Sequence, residues 1–400
     1  MATVIHELNL DEPLRPVTGV AAYARCMLVF RSAGEVIGRE FISTNGQDLD
    51  LDRLRHIIAG ALRADGLQRW VARAVGYDPR QVVGWPRPRV TVAICTHERP
   101  DDLDRALAAV RRLSPPADEV LVIDNAPTRD ATRAVVAHHP GVRYVCEPVI
   151  GLDRARNRAL HEAVTPIVAF SDDDAVPEPG WLAGLAANFS DPRVWCATGL
   201  TLPLELDTEA QELFEEHCPF ERGFARRVFD GQFDHPLVVS QAGAGANMAV
   251  RRDEVLAIGG FDERLDGGTP SRSGGDHDLF TRILSQGAQV VYDPAAVSWH
   301  RHRRTLAAVT DTVGGYGTGV YAMWTRLLLE QREVGEALEH RDLDLGAHAG
   351  ARARDQRHQD RLRADDPGDL VGGHGRQVLH LAGLAAHQVR QAAHALDDVV

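Results

Sequence analysis

The residues best suited to chemistry are three consecutive carboxylates, Asp172-Asp173-Asp174, which follow the apolar run Pro166-Ile167-Val168-Ala169-Phe170 after a single residue, Ser171. Three adjacent acids at the end of a buried strand repel one another unless a cation or hydrogen-bond donors compensate them. A hard divalent ion that prefers oxygen ligands, Mg2+ or Mn2+, does so. Such an ion can also bridge to a diphosphate and neutralise charge on a departing nucleotide. The competing description is an acidic turn facing water, and the buried strand in front of the triplet weighs against it. A zinc site or a disulfide framework has less support. Cys26, Cys95, Cys146, Cys196 and Cys218 are scattered, odd in number and contain no CxxC pair, a pattern of free thiols.

The triplet needs a scaffold, and the pattern from Arg89 onward supplies one. Val90–Cys95 reads as a buried strand, followed by the polar loop Thr96-His97-Glu98-Arg99-Pro100 and a helix over about 101–113. A strand at Glu119–Ile123 ends in Asp124-Asn125. A helix near 129–138, a strand at Val142–Cys146, a helix at 153–163 and a strand at Ile167–Phe170 follow. Strands alternating with helices predict a mostly parallel sheet with helices on both faces. Ligands then bind beyond the carboxyl ends of the strands, which gathers Thr96–Arg99, Asp124 and Asp172–Asp174 along one edge. Further on, a helix at about 276–286 and a strand at 289–292 lead to Trp299-His300-Arg301-His302. Residues 1–86 read as a small α/β accessory module, with strands at Ala22–Arg31 and Val36–Ile42 and a helix at Leu51–Leu62. The stretch Gly84-Trp85-Pro86-Arg87-Pro88 punctuates its end.

Bulk properties narrow the partners. A net charge of −13 argues against a nucleic-acid binder, which would present a basic face, but a bound cation can still supply positive charge for a phosphate ligand. No stretch reaches the roughly 18 apolar residues of a membrane span, and no signal-peptide pattern is evident. The expected location is therefore cytoplasmic, with peripheral contact to the inner membrane face through a helical extension at 306–330. Every basic side chain is arginine or histidine, with no lysine. From Arg326 to Val400 the chain uses only Leu, Pro, His, Gln, Arg, Val, Ala, Asp, Glu and Gly, whereas about a quarter of earlier positions carry other types. Those ten are the residues of codons beginning with C or G. In a GC-rich gene, a shifted frame moves the G/C-rich third codon position into first place. This predicts that the chain leaves its functional frame shortly after Thr325, making 331–400 a low-complexity tail, frameshifted or disordered. The seven histidines beyond Arg326 are then not metal ligands.

Residues 89–305 resemble the family 2 glycosyltransferases. The matching pieces are VTVAICTHERP (90–100), VLVIDNAPT (120–128), GLDRARNRAL (151–160), VAFSDDDAVPEPGWL (168–182), GAGANMAVRR (243–252), GGFDERL (259–265), GGDHDLFTRIL (274–284) and WHRHRR (299–304). The resemblance implies the GT-A fold, Rossmann-like, over 87–305. It also implies an inverting transfer of a hexose-type sugar from a nucleoside-diphosphate sugar, UDP by default, to an acceptor hydroxyl. Roles follow by position. Thr96, Glu98, Arg99 and Asp124 would contact base and ribose, and Arg154 and Asn157 would line the nucleotide pocket. Asp172 and Asp174 would form the DxD pair, Asp174 on the metal and Asp172 toward ribose or a metal-bound water. Asp173 would reach the sugar, and His300 would complete the Mn2+ or Mg2+ site. Gly245 and Asn247 would belong to the loop beneath donor sugar or acceptor. Asp276 aligns with the base that deprotonates the acceptor hydroxyl, with Asp278 as the fallback. Where the family carries Glu-Asp, this chain has Gly275-Asp276. That departure keeps open a catalytically impaired nucleotide-sugar-binding protein, and a nucleotidyltransferase is the other alternative. The acceptor, whether small molecule, glycan or lipid-linked, is not specified by the sequence.

Overall fold

The computed structural model describes residues 2–62, 70–71 and 87–349; the expected boundary at 84–86 and the tail beyond 349 lie outside them. The chain opens with strand β1 (Thr3–Asn9), β2 (Arg25–Ser32), β3 (Glu35–Ser43) and helix α1 (Leu51–Ala61), capped by the Asp50 carboxylate on the Arg53 amide. β2 is the middle strand, parallel to β1 and antiparallel to β3. Cys26 to Phe30 are fully buried, and their alternation divides them between two cores. Cys26, Leu28 and Phe30 face Leu49 and Leu54, whereas Met27 and Val29 face Leu200, Leu202, Leu206 and Val297 of the larger domain. A strand buried on both faces reads as a continuous apolar run, and here it ties the module to the main sheet.

The larger domain begins with β4 (Val90–Thr96), α2 (Pro100–Val110), β5 (Glu119–Asn125), α3 (Ala131–Ala137), β6 (Val142–Glu147), α4 (Leu152–Glu162) and β7 (Ile167–Asp172). Then come β8 (Ala175–Pro177), α5 (Trp181–Ala186), β9 (Val194–Pro203), α6 (Glu209–His217), β10 (Arg227–Asp230), β11 (Asn247–Arg251) and α7 (Arg252–Ala257). Helix α8 (Gly275–Ser285), β12 (Gln289–His300) and α9 (Leu306–Ala349) complete it. The sheet order is β10-β12-β9-β11-β7-β4-β5-β6, with β8 on β12. β4, β5, β6, β7, β9 and β12 run the same way; β8, β10 and β11 oppose them. This is the mixed α/β architecture, with a central, mostly parallel sheet, that the alternation predicts.

Register delivers the polar ends to one edge. Thr96 pairs with Asp124, and Cys95 with Asp172. β12 pairs with β9, breaks register between Asp293 and Val297, and resumes to set His300 opposite Ala175, next to Asp174. Sequence reading ends this strand at Tyr292, because Pro294 and the irregularity interrupt its pattern. β1 and β9 were likewise not expected. No helix among the described residues is long and apolar enough to cross a membrane.

Candidate active site

Asp174 is the centre of the acidic cluster. Its Oδ2 accepts from Arg99 Nη1 at 3.0 Å and Arg303 Nη1 at 2.9 Å, while Oδ1 lies 3.0 Å from His300 Nε2. Asp172 Oδ2 is 4.0 Å from the same His300 nitrogen. One ligand atom from each of Asp172, Asp174 and His300 can be chosen so that all lie within 4.8 Å of one another. Asp172 is the open member, its side chain 32% exposed against 3% for Asp174, so a ligand can reach it. Burial works against ionisation of Asp174, but His300, Arg99 and Arg303 outweigh it and hold the carboxyl far below its usual range. Burial, reinforced by the Asp174 charge, raises Asp172 and pushes Asp173 up to about 6. For His300, burial opposes protonation and Asp174 more than offsets it, so its pKa rises.

The His300 ring is held by packing, with Phe220 edge-on at 5.1 Å. Two residues on, His302 Nε2 lies 2.8 Å from Glu215 Oε2, and Glu215 also accepts from Arg39 of β3. The N-terminal module thus braces the strand end that carries His300. Of the neighbouring arginines, Arg301 pairs with Asp102 and Arg304 with Glu205; Arg303 alone of the three turns to Asp174.

Thr96 donates to Asp173 Oδ2 at 2.8 Å, and Arg99 reaches Asp173 Oδ1 at 3.1 Å, so Asp173 is engaged from both sides. Glu98, with φ 56°, accepts from the Thr128 amide at 2.7 Å, the Thr128 hydroxyl at 2.9 Å and Arg129 Nε at 2.5 Å. Those donors bring its pKa down to about 2 and tie the loops after β4 and β5 together. Asp124 is buried at the end of β5 and accepts from Tyr144 at 2.8 Å; its Oδ1 has no hydrogen-bond partner, and burial raises its pKa.

Across the site, Asp276 stands half-buried in the first turn of α8. Its Oδ2 accepts from the Gly245 amide at 2.8 Å and Oδ1 from the His277 amide at 2.7 Å. A Cβ at Gly245 would lie 2.8 Å from Arg156 Nη2 and 3.1 Å from Asp276 Cβ, so only glycine allows this approach. Burial raises the Asp276 pKa, but the charges of His277 and Arg156 and the two amides outweigh it and lower it overall. The positive end of α8 acts in the same direction. The carboxyl group is therefore held in its ionised form.

Asp278, two residues along and on another face of the helix, is fully buried; Arg282 Nε binds its Oδ2 at 2.8 Å and Arg326 binds its Oδ1. Both oxygens are taken by guanidinium groups. Arg154 and Asn157 point to the 261–263 segment: Arg154 pairs with Glu263 at 2.6 Å, and Asn157 exchanges hydrogen bonds with the Phe261 backbone at 3.0 and 2.8 Å. Asn247 is buried as a stitch, accepting from Trp181 Nε1 and donating to the Leu200 and Ala296 carbonyls. The arginine of α4 that turns inward is Arg156, which sequence reading passed over. It binds Asp153 Oδ1 at 3.0 Å and Asp266 Oδ2 at 2.7 Å. The available signal was spacing, since Asp153, Arg156 and Leu160 share one helical face and Leu160 is apolar.

The model of the glycosyl transferase family 2 matches residues 91–239. A pre-mycofactocin glycosyltransferase of Mycobacterium tuberculosis (strain ATCC 25618 / H37Rv) is 31% identical over 255 residues, covering 60% of this chain and 48% of the relative. A glucosyl-dolichyl phosphate glucuronosyltransferase of Haloferax volcanii is 24% identical over 230 residues, covering 53% and 69%. The chain thus spans about half the length of the first of these relatives. Among solved structures, the mannosyltransferase PcManGT from Pyrobaculum calidifontis, in complex with GDP-Man and Mn2+, aligns with a TM-score of 0.44 and 20% identity over 82% of this chain and 92% of that one. Over residues 91–239, which hold the acidic triplet at its strand end, the chain is thus similar to the family 2 glycosyltransferases.

Proposed function

We propose that the chain transfers one sugar from a nucleoside-diphosphate sugar, UDP by default, to an acceptor hydroxyl with inversion at the anomeric carbon. The observation that carries this reading is the convergence of Asp172, Asp174 and His300 ligand atoms within 4.8 Å of one another, beside Arg99 and Arg303. Two carboxylates and an imidazole suit Mn2+ and, with the oxygens alone, Mg2+. A bound ion would neutralise charge on the departing diphosphate. Arg99 and Arg303 are placed to share that charge, and Thr96 fixes Asp173 behind them.

Asp276 is the base, in preference to Asp278, whose oxygens are both engaged by arginines. The acceptor oxygen forms a bond to the anomeric carbon as the carbon–oxygen bond to the diphosphate breaks. The hydroxyl proton passes to Asp276, and the bonding pair leaves with the nucleoside diphosphate. A donor panel of UDP-glucose, UDP-N-acetylgalactosamine and GDP-mannose, read by thermal shift and by nucleoside diphosphate release with and without Mn2+, tests the reading. Mn2+-dependent binding and release support it, and an inverted anomer in the released sugar supports the stereochemistry. Binding without release favours a nucleotide-sugar-binding protein, and neither binding nor release discards both.

A further inference from the structure

The residue before the base has no room for a side chain. A Cβ built on Gly275 would lie 1.9 Å from Asp153 Oδ2 and 2.6 Å from its Cγ. The obstruction is a carboxyl group that reaches across from α4 and is itself fully buried. Its Oδ1 accepts from Arg156, whereas Oδ2, the atom against Gly275, has no hydrogen-bond partner. A buried carboxyl with an unpartnered oxygen costs stability relative to an apolar side chain of similar size, so packing alone does not account for an acid here. Its neighbours do. Asp153 and Asp266 hold Arg156 Nη1, which leaves Nη2 directed at Gly245, the residue whose amide binds the Asp276 carboxylate.

We propose that Asp153 is a positioning residue for the base: its carboxyl group fills the space Gly275 leaves against the first turn of α8 and, through Arg156, orients the Asp276 carboxylate. This rests on the reading of Asp276 as the base. Asp153 and Gly275 are then a matched pair. A glutamate at 275, which the family resemblance leads one to expect, and an acid at 153 are alternative ways of setting one carboxyl group beside the base.

The test uses Asp153→Ala, Gly275→Ala and the doubles Asp153→Ala/Gly275→Ala and Asp153→Ala/Gly275→Glu. Turnover is read as nucleoside diphosphate release from UDP-glucose or GDP-mannose with Mn2+, beside UDP affinity and melting temperature. Asp153→Ala is expected to lower kcat about tenfold to a hundredfold, the scale of a misplaced catalytic group, while KM for donor and UDP affinity stay within about twofold. The Asp153→Ala/Gly275→Glu double should recover turnover several-fold over Asp153→Ala. Gly275→Ala should lower the melting temperature with Asp153 present and not in the Asp153→Ala background. Normal kcat in Asp153→Ala, or a loss that falls equally on UDP affinity, overturns the positioning role. So does a double that recovers nothing, and an equal thermal loss in both backgrounds overturns the placement. If the wild type releases nucleoside diphosphate from none of the nucleotide sugars in the panel above, the reading of the chain as a transferase fails first and this role falls with it.

Discussion

The two sides of the site, the one proposed to bind the donor and the one that carries the proposed base, arrange charge in opposite ways. On the donor side, Asp172, Asp173 and Asp174 meet Arg99, Arg303 and His300, and both arginine side chains are more than a third exposed. On the base side, Asp153, Asp266 and Asp276 gather around Arg156, whose side chain is 5% exposed. Partly exposed cations on flexible side chains can re-pair with a phosphate as a ligand arrives, provided that an incoming metal ion takes over the charge of the buried Asp174. A guanidinium buried among carboxylates cannot, because moving it strands charges out of water. The donor side is therefore built for exchange and the base side for fixed geometry.

The sharpest way to break this comparison is Asp276→Asn. The amide keeps the shape and can still accept from the Gly245 amide, but it takes no proton. Turnover should fall by about 10²- to 10⁴-fold with UDP affinity in Mn2+ unchanged, measured by nucleoside diphosphate release and calorimetry. Near-normal turnover would move the base elsewhere. His300→Ala acts on the other side alone and should weaken Mn2+ affinity roughly 10- to 100-fold, read by titration calorimetry without nucleotide. Unchanged Mn2+ affinity would take the imidazole out of the ligand set.

The donor side was the more legible of the two in the sequence. Thr96, Asp124 and Asp172–Asp174 each come at the end of a short, mostly apolar run, so a parallel sheet aligns them without any knowledge of side-chain direction. The base side depends on rotations about helices that a linear motif does not display. Arg154 and Arg156 sit two apart in one motif and face opposite ways, outward to Glu263 and inward to Asp153. Asn247 reads as a loop residue near the sugar, yet its amide is spent on stitching β9, β12 and α5 together. Gly275 reads as a lost glutamate until the Asp153 carboxyl group is seen in its place. The composition change at Arg326 was legible too. Helix α9 continues through it to Ala349, and sequencing the gene for a frame change would decide its origin.

Arg326 itself bears on the comparison, since it braces the base side from behind. It pairs with Asp278, which is 0% exposed, and with Asp262, while Arg282 holds the other oxygen of Asp278. Arg326→Ala leaves that buried carboxylate with one guanidinium, a loss of about 1–3 kcal/mol, seen as a lower urea midpoint at unchanged m-value. Because the change lies behind the helix, UDP affinity should hold while kcat falls modestly. Loss of UDP affinity instead would mean that the two sides are mechanically joined through α8.

The smallest effect separates the sides by pH. Asp173 titrates at about 6 in the folded chain against 3.8 for the free group. Between those values the folded form binds more protons than the unfolded one, so stability falls as pH rises and is regained on acidification through 6. Asp174, held far below 3.8, has the opposite sign, and its contribution is lost only in stronger acid. From pH 7 to 5.5 without metal, Asp173 should add on the order of 0.5–1 kcal/mol. Asp153 and Asp266 on the base side are also raised by burial, so the raw slope mixes both regions. The difference between wild type and Asp173→Asn isolates the donor side, because the base-side carboxyls are common to both. Mn2+ should flatten that difference, since a cation beside Asp173 favours its ionised form. A slope unchanged by Asp173→Asn would take Asp173 out of the titration and leave it to the other raised carboxyls, Asp172, Asp153 and Asp266.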